Sequence, residues 1–247
     1  MKKQSIKGRL VIVIAIAFTL LISLSSIFTI KSFKNEFKET MQVETSNKVQ
    51  LLNDFIENHL KTPINLVEST ASKVTKVTTE EEKVALQEQL KLIGGSVEGI
   101  LGLHAAFDGD RILYSSENLQ LKSDYNANTR DWYIEAKKKS GEIVITAPYV
   151  DALTGNLIFG ISKTTSDGDG VVTLDVSLDF LKEILPKITI GKQGYAFVFD
   201  QQGTVLYHPS IEQGQSIMDD DMYSRFMEEQ QLEYDKDGEK HFTQLSQ

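Results

Sequence analysis

The feature that most limits what this chain can fold into is an uninterrupted apolar stretch near its start. Leu10 to Ile30 is a run of 21 residues without a charge, a proline or a glycine. At about 1.5 Å per residue, a helix of this length crosses a hydrocarbon layer of roughly 30 Å. A cleaved signal peptide is the alternative, but its apolar core usually has only about 7 to 15 residues. Because the run continues until Lys31, we predict a transmembrane helix over residues 10–30.

The charges beside this run indicate its orientation. Four basic residues and no acidic residue precede it, namely Lys2, Lys3, Lys7 and Arg9. Basic flanks stay on the cytoplasmic side, so residues 1–9 are predicted to form a cytoplasmic tail. The protein is then anchored in the cell membrane by a single pass, with an extracellular ectodomain. Removing the four tail charges from the formal net charge of −9 leaves −13, an acidic surface that argues against a nucleic-acid partner.

After the span, apolar residues recur mostly at steps of three and four, which predicts a long helix. The members of this stripe are Phe33, Phe37, Met41, Val49, Leu52, Ile56, Leu60, Ile64, Val67, Ala71 and Val74. Pro63 lies inside the pattern and is expected to bend or interrupt the helix. We assign residues 31–99 to a stalk and spine helix. Packing on its own domain explains the later half, whereas the half nearest the membrane favours a partner copy in a homodimer.

From Ile100 onward the sequence changes to short β-type segments separated by turns, such as Asp167–Gly170, that favour antiparallel hairpins. The predicted strands are Ile100–Phe107, Ile112–Ser115, Glu142–Val150, Leu157–Thr164 and Val171–Leu178, with a second set at Gly194–Asp200 and Gly203–Tyr207. A short helix over Asp179–Ile188 separates the two sets. We therefore predict an α+β fold, with a membrane-distal lobe over residues 100–187 and a membrane-proximal lobe over 188–247.

The residue types that many enzymes require are missing or scattered. The chain has no cysteine, and its four histidines show no metal-ligand spacing: His59, His104, His208 and His241. Neither a phosphate loop nor a nucleophile elbow is present. We therefore expect no catalytic residue, no metal site and no cofactor, and we interpret the histidines as ordinary surface or core residues. A membrane-tethered enzyme is disfavoured, whereas a structural stalk stays open.

Recognition-type residues are densest between Tyr125 and Tyr133. This segment contains Arg130 and the only tryptophan of the chain, Trp132. Arginine offers a planar fork of donors that matches a carboxylate, and tryptophan and tyrosine form flat apolar walls with a hydrogen-bonding edge. By composition alone, a binding site and an aromatic core cluster explain the segment equally well.

The pattern Tyr-x4-Arg-x-Trp-Tyr over residues 125–133, with Tyr149 and Asp175 further on, resembles the amino-acid-binding motif of double Cache domains. These are the extracellular or periplasmic sensors of many bacterial chemoreceptors, sensor kinases and nucleotide cyclases. The resemblance covers the chain from about Lys31 to its end, and all six motif positions are filled. It implies two PAS-like lobes with antiparallel sheets, carried on a helical spine.

The resemblance also implies a role for each motif residue in holding the charged ends of a free L-amino acid. It implies that the ligand carboxylate is held by Tyr125, Arg130 and Trp132. It implies that the ligand ammonium group is held by Tyr133, Tyr149 and Asp175. A methyl-accepting chemoreceptor is the implied protein, with the sensor of a histidine kinase or cyclase, or a membrane-tethered structural protein, as alternatives. Since only about 60 residues follow Ile188, we expect an incomplete second lobe. The sequence as given contains no second apolar span, so we expect cytoplasmic signalling partners only if a further segment exists.

The charge asymmetry around the span predicts that protease added to intact protoplasts removes the part of the protein after Ile30. The membrane shields the N-terminal tail from the protease, so an N-terminal epitope tag should survive the digestion on a short fragment. Immunoblots of protoplasts with and without detergent check this. Protection of the ectodomain, or its appearance in the medium at its mature size, would contradict the anchored topology.

Overall fold

The computed structural model describes residues 6–95, 100–117, 121, 123–151, 155–191, 194–216, 224, 228, 231–236 and 239–244, which leaves residues 1–5 of the predicted tail outside. The chain forms two compact units, Met1–Val49 and Gln50–Gln247. Helix α1 (Ile6–Ala71) contains the predicted span. Among the described residues it is the one helix long and apolar enough to cross a membrane.

The spine consists of two helices instead of one. α1 passes through Pro63 and ends at Ala71, so of the two expected effects of this proline, a bend or an interruption, the interruption does not occur. Proline removes one backbone hydrogen bond and costs about 3 kcal/mol inside a helix. Val67 and Ala71, which follow it, are completely buried in the main core, and this burial offsets the cost.

The second spine helix, α2 (Glu80–Gly94), begins with a capping box. The Thr79 hydroxyl accepts from the Glu82 amide, and the Glu82 carboxylate accepts from the Thr79 amide. These reciprocal bonds satisfy amide groups that the first turn of a helix leaves without partners. They also hold the pKa of Glu82 below its usual value. The cap explains why the chain starts a new helix here.

The first lobe contains a six-stranded antiparallel sheet. Its strands are β1 (Ile100–Phe107), β2 (Tyr114–Ser115), β3 (Val144–Ile145), β4 (Tyr149–Val150), β5 (Leu157–Thr164) and β6 (Gly170–Ser177). They lie in the order β2-β1-β6-β5-β3, and β4 also pairs with β5. The predicted bounds of β1 and β5 are confirmed. The predicted strand Glu142–Val150 is two short strands, because Pro148 between them has no amide hydrogen to donate.

Both faces of this sheet are covered. One face packs against α1 and α2 in a core that includes Val67, Leu90, Leu103, Ile161 and Leu174. The opposite face packs against α3 (Asp131–Lys138), a short helix that the sequence analysis did not predict. That smaller core consists of Ala106, Ala127, Trp132, Tyr133, Ala136 and Val171. β6 therefore lies at the centre of the lobe, with a paired strand on each side.

The connection to the second lobe is helical, as predicted. It comprises α4 (Asp179–Ile184) and a 3-10 turn at Leu185–Lys187. The strands that follow are β7 (Thr189–Ile190), β8 (Gly194–Tyr195), β9 (Val198–Phe199), β10 (Val205–Tyr207), β11 (Gln231–Lys236) and β12 (Glu239–Gln244). Consecutive strands pair as three separate antiparallel ribbons. The predicted α+β class is confirmed.

The sheet provides a matched pair of positions for testing the core. Ile161 of β5 and Ile145 of β3 are directly paired, yet the first is completely buried and the second is 47% exposed. We expect Ile161→Ala to lower the free energy of unfolding by about 2–5 kcal/mol and Ile145→Ala by under about 1 kcal/mol. Urea titration followed by the fluorescence of Trp132 measures both. Equal losses would contradict the described burial.

Candidate ligand-binding site

The site is built around Asp175, which lies in the central strand β6. In the register of the sheet, Asp175 pairs with Gly102 of β1 and with Gly160 of β5. Directly paired residues project from the same face of a sheet, so neither neighbour places a side chain beside the carboxylate. The two glycines thus leave an opening on the face covered by α3. Other side chains enter this opening from both sides.

On the Gly160 side the carboxylate is held by Tyr149. The Tyr149 hydroxyl donates to Asp175 Oδ1 at 2.7 Å. Burial, and then the negative charge of Asp175, raise the pKa of Tyr149 far above its usual value, so the hydroxyl keeps its proton and remains a donor. A Cβ atom at Gly160 would come within 3.3 Å of this hydroxyl. Glycine therefore gives Tyr149 the room to reach the carboxylate.

On the Gly102 side lies His104, which the sequence analysis interpreted as an ordinary residue. Its Nε2 is 3.3 Å from Asp175 Oδ2, and its Nδ1 is 2.9 Å from Ser115 Oγ. His104 is two residues after Gly102, so the alternation of a strand places both on one face. The strand was predicted correctly, but the partner strand and register that bring His104 to Asp175 were not.

The cationic side of the site comes from the turn that leads into α3. Asn126 caps a 3-10 turn at Ala127–Thr129, and Arg130 follows as the residue before the helix. The Arg130 guanidinium carbon lies 5.9 Å from the centre of the Tyr125 ring, a distance typical of a cation–π contact. Burial raises the pKa of Tyr125, the positive charge of Arg130 lowers it, and the negative charge of Asp175 raises it further. Arg130 and Asp175 are therefore both close enough to influence one tyrosine.

Beside Arg130 lies a cavity of about 270 Å³ that is lined by Thr129, Arg130, Asp131, Trp132 and Tyr149. The volume suits a ligand smaller than a drug-sized molecule. The Trp132 side chain is almost completely buried, and a hydrogen bond from it lowers the pKa of Tyr125. Thr129 and Asp131 were not singled out from the sequence, although both belong to the segment that was. They are short polar side chains beside Arg130, and no pattern distinguished them from ordinary turn residues.

Tyr133 is placed differently from the other motif residues. Its ring packs edge-on against Trp132, and its hydroxyl donates to Asp108 Oδ1 at 2.5 Å. Lys137 donates to the other oxygen of that carboxylate at 2.7 Å. Burial on its own would raise the pKa of Asp108, but the bonds from Lys137 and Tyr133 outweigh it and lower the pKa. Three of the six predicted site residues thus line the cavity, namely Arg130, Trp132 and Tyr149. Asp175 accepts from Tyr149, Tyr125 lies beside Arg130, and the hydroxyl of Tyr133 bonds to a neighbouring turn.

Comparison with known proteins identifies the family of the chain. The family model dCache_1, described as a Cache domain, matches residues 29–247. A probable methyl-accepting chemotaxis protein of Bacillus thuringiensis is 30% identical over 88% of this chain and 33% of its own length. The chain thus spans about a third of the length of the curated relatives it matches.

Two solved structures are similar to this fold. The ligand-binding domain of Mlp24 with asparagine superposes with a TM-score of 0.65 at 21% identity and covers 86% of this chain and 89% of that one. The ligand-binding domain of the Pseudomonas aeruginosa amino acid chemoreceptor PctB, in complex with L-Gln, has a TM-score of 0.63 at 25% identity, with coverages of 79% and 80%. From the match to its family model over residues 29–247, the chain belongs to the dCache_1 family of Cache domains.

Proposed function

We propose that this chain is the extracellular ligand-sensing part of a bacterial chemoreceptor and that it binds a free L-amino acid by its carboxylate and ammonium groups. One observation carries the proposal. A guanidinium, Arg130, lines the same cavity as Tyr149, and the Tyr149 hydroxyl donates at 2.7 Å to a carboxylate, Asp175. A pocket that presents one cation and one anion complements a zwitterion. If an apolar molecule bound there instead, both charges of the pocket would be left unpaired.

The roles follow the chemistry of the side chains. Tyr125, Arg130 and Trp132 supply the donors that a carboxylate accepts, and Tyr149 and Asp175 supply the oxygens that an ammonium group needs. Support for Tyr133 is weaker, because its hydroxyl would have to exchange Asp108 for the ligand. A charge-assisted hydrogen bond contributes roughly 1.5 to 3 kcal/mol, so several of them offset the desolvation of both charged groups.

Chemoreceptor output is favoured over the sensor kinase and the cyclase by the curated relatives, which carry the name methyl-accepting chemotaxis protein. The alternative of a purely structural protein has no comparable support. An aromatic cluster that only fills a core does not account for the cavity beside Arg130 or for the carboxylate of Asp175 that Tyr149 holds. The proposal places the chain in the cell membrane with its N-terminus in the cytoplasm and its binding lobe outside.

Two copies of the chain are proposed to associate along the stalk. Phe33 and Phe37 follow the predicted span, are 66% and 58% exposed, and stack on one face of α1 with ring centres 6.3 Å apart. Large apolar side chains that face water are stabilised when a second helix covers them. The stripe continues to Met41, one further turn along the helix.

The zwitterion model predicts the effect of removing either charge from the site. Arg130→Ala and Asp175→Ala should each weaken binding of the best L-amino acid by about 3 kcal/mol, roughly a hundredfold, because the partner charge on the ligand is left desolvated. Isothermal titration of the full chain in detergent against the twenty common L-amino acids, followed by the des-amino and amidated analogues of the strongest binder, measures this.

Two variants serve as matched controls. Lys138→Ala removes an exposed cation from the same helix that Arg130 precedes, and Asp179→Ala removes an exposed carboxylate shortly after Asp175. Both should bind as the unaltered protein does. Binding of no amino acid, or equal affinity for the analogue without the ammonium group, would refute the proposal, and an aromatic core without a ligand would then explain the segment.

The stalk model predicts disulfide cross-links between chains. The protein contains no cysteine, so single cysteines can be introduced without a background. Phe33→Cys and Phe37→Cys should cross-link in membranes under mild oxidation, whereas Asn35→Cys and Glu39→Cys, about 200° away around the helix, should cross-link far less. Non-reducing gels separate the two forms. Stronger cross-linking at Asn35 and Glu39 would show that the copies meet through the other face.

A further inference from the structure

We propose that His104 is a positioning residue for the ammonium site: its neutral ring donates from Nε2 to Asp175, and a second proton on the ring weakens binding of an amino acid. This inference rests on the proposed function, because the ring is proposed to orient the carboxylate that binds the ammonium group of the ligand. None of the six motif positions includes His104. The contact is seen only once the sheet is assembled.

The geometry holds the imidazole between two partners. The side chain is 7% exposed, with Nε2 at 3.3 Å from Asp175 Oδ2 and Nδ1 at 2.9 Å from Ser115 Oγ. Tyr149 occupies the other carboxylate oxygen, Oδ1. Each oxygen of a carboxylate can accept more than one hydrogen bond, so capacity remains for a ligand. His104 and Tyr149 therefore orient the Asp175 carboxylate and leave its oxygens able to accept hydrogen bonds from a ligand.

The hydrogen bonds of Ser115 indicate which ring nitrogen carries the proton. Ser115 Oγ accepts from the Glu117 amide at 2.9 Å. Among the described residues, the acceptor within reach of its own hydroxyl proton is His104 Nδ1. If Nδ1 accepts, a neutral ring has its proton on Nε2, which faces the carboxylate. This tautomer leaves the charge of Asp175 intact.

Gly102 provides the space for this arrangement. A Cβ atom at Gly102 would lie 2.6 Å from both Cε1 and Nε2 of His104, closer than side-chain atoms approach one another. Replacing this glycine by alanine therefore displaces the ring while its chemistry stays the same. Gly102→Ala is an independent way to break the contact.

A second proton on the His104 ring changes its effect on ligand binding from favourable to unfavourable. A ring protonated on both nitrogens is a cation that pairs with Asp175 and repels a ligand ammonium group, so adding the second proton lowers the affinity for the ligand. The other charged and titratable groups around the pair are Tyr149, Tyr125 and Arg130, while Glu117 is exposed at the end of β2. Burial raises the pKa of both tyrosines, so their hydroxyls stay protonated and uncharged between pH 7.5 and 5.

The first measurement needs no ligand. Nitrogen-15 NMR of the full chain in detergent, labelled on histidine and assigned with His104→Gln, should show His104 at pH 7.5 as the tautomer protonated on Nε2. In Asp175→Asn the signal of the Nε2 proton should exchange with water more rapidly, since its acceptor is weakened. A ring protonated on Nδ1 in the unaltered protein would overturn the proposal whatever the protein binds.

The second measurement uses the L-amino acid, among the twenty common ones, that binds most tightly at pH 7.5. Its affinity should be lower at pH 5 than at pH 7.5, because acid favours the doubly protonated ring. His104→Gln, which keeps a neutral donor, should bind within about threefold of the unaltered protein at pH 7.5 and lose the pH dependence. Gly102→Ala should bind about tenfold more weakly at pH 7.5, whereas His59→Gln should keep the full pH profile.

The outcomes separate this inference from the function on which it rests. Binding that does not change with pH, or that changes equally in His104→Gln, refutes the role of His104 and leaves amino-acid binding established. If no amino acid binds at any pH, the proposed function fails together with this role, and the NMR result still shows whether the His104–Asp175 pair exists. Trp132 fluorescence and a cooperative melt check that each variant is folded.

Discussion

The structure depends on a carboxylate placed in the middle of a covered sheet. Asp175 lies on β6, the middle strand in the order β2-β1-β6-β5-β3, and its side chain is only 16% exposed. A charge in that position is costly unless hydrogen bonds compensate it. Tyr149 donates a hydrogen bond to it from one side and the His104 ring lies 3.3 Å away on the other, and Gly102 and Gly160 leave both side chains room. The proposed ammonium site depends on the carboxylate being held in this position.

The two faces of the same sheet have different tasks. Leu174, next to Asp175 in the chain, points to the other face and is completely buried against the spine helices. The alternation of a strand therefore places Leu174 in the core with the spine helices and Asp175 on the face covered by α3. The larger core and the proposed site thus lie on opposite faces, so a polar site is compatible with a well-packed core.

The turn that carries Asp108 ties the binding helix to the end of the spine. Tyr133 and Lys137 of α3 both contact the Asp108 carboxylate, and Lys137 also donates to the Gly168 carbonyl. Lys76, just after α1, donates to the Asp108 carbonyl. These bonds join four parts of the chain that are distant in sequence. They also give Tyr133 a structural task that its place in the binding motif did not reveal.

The sequence by itself determined the long apolar helix at the start of the chain, the bounds of strands β1 and β5 and the residues of the aromatic segment, because each depends on local periodicity or on a contiguous pattern. Only the tertiary structure decided that α3 exists, that Pro63 lies within a continuous helix and that His104 contacts Asp175. The physical reason is that these features follow from burial and strand register, which join residues far apart in the chain. A histidine in a strand becomes part of a site only when its neighbours across the sheet are known.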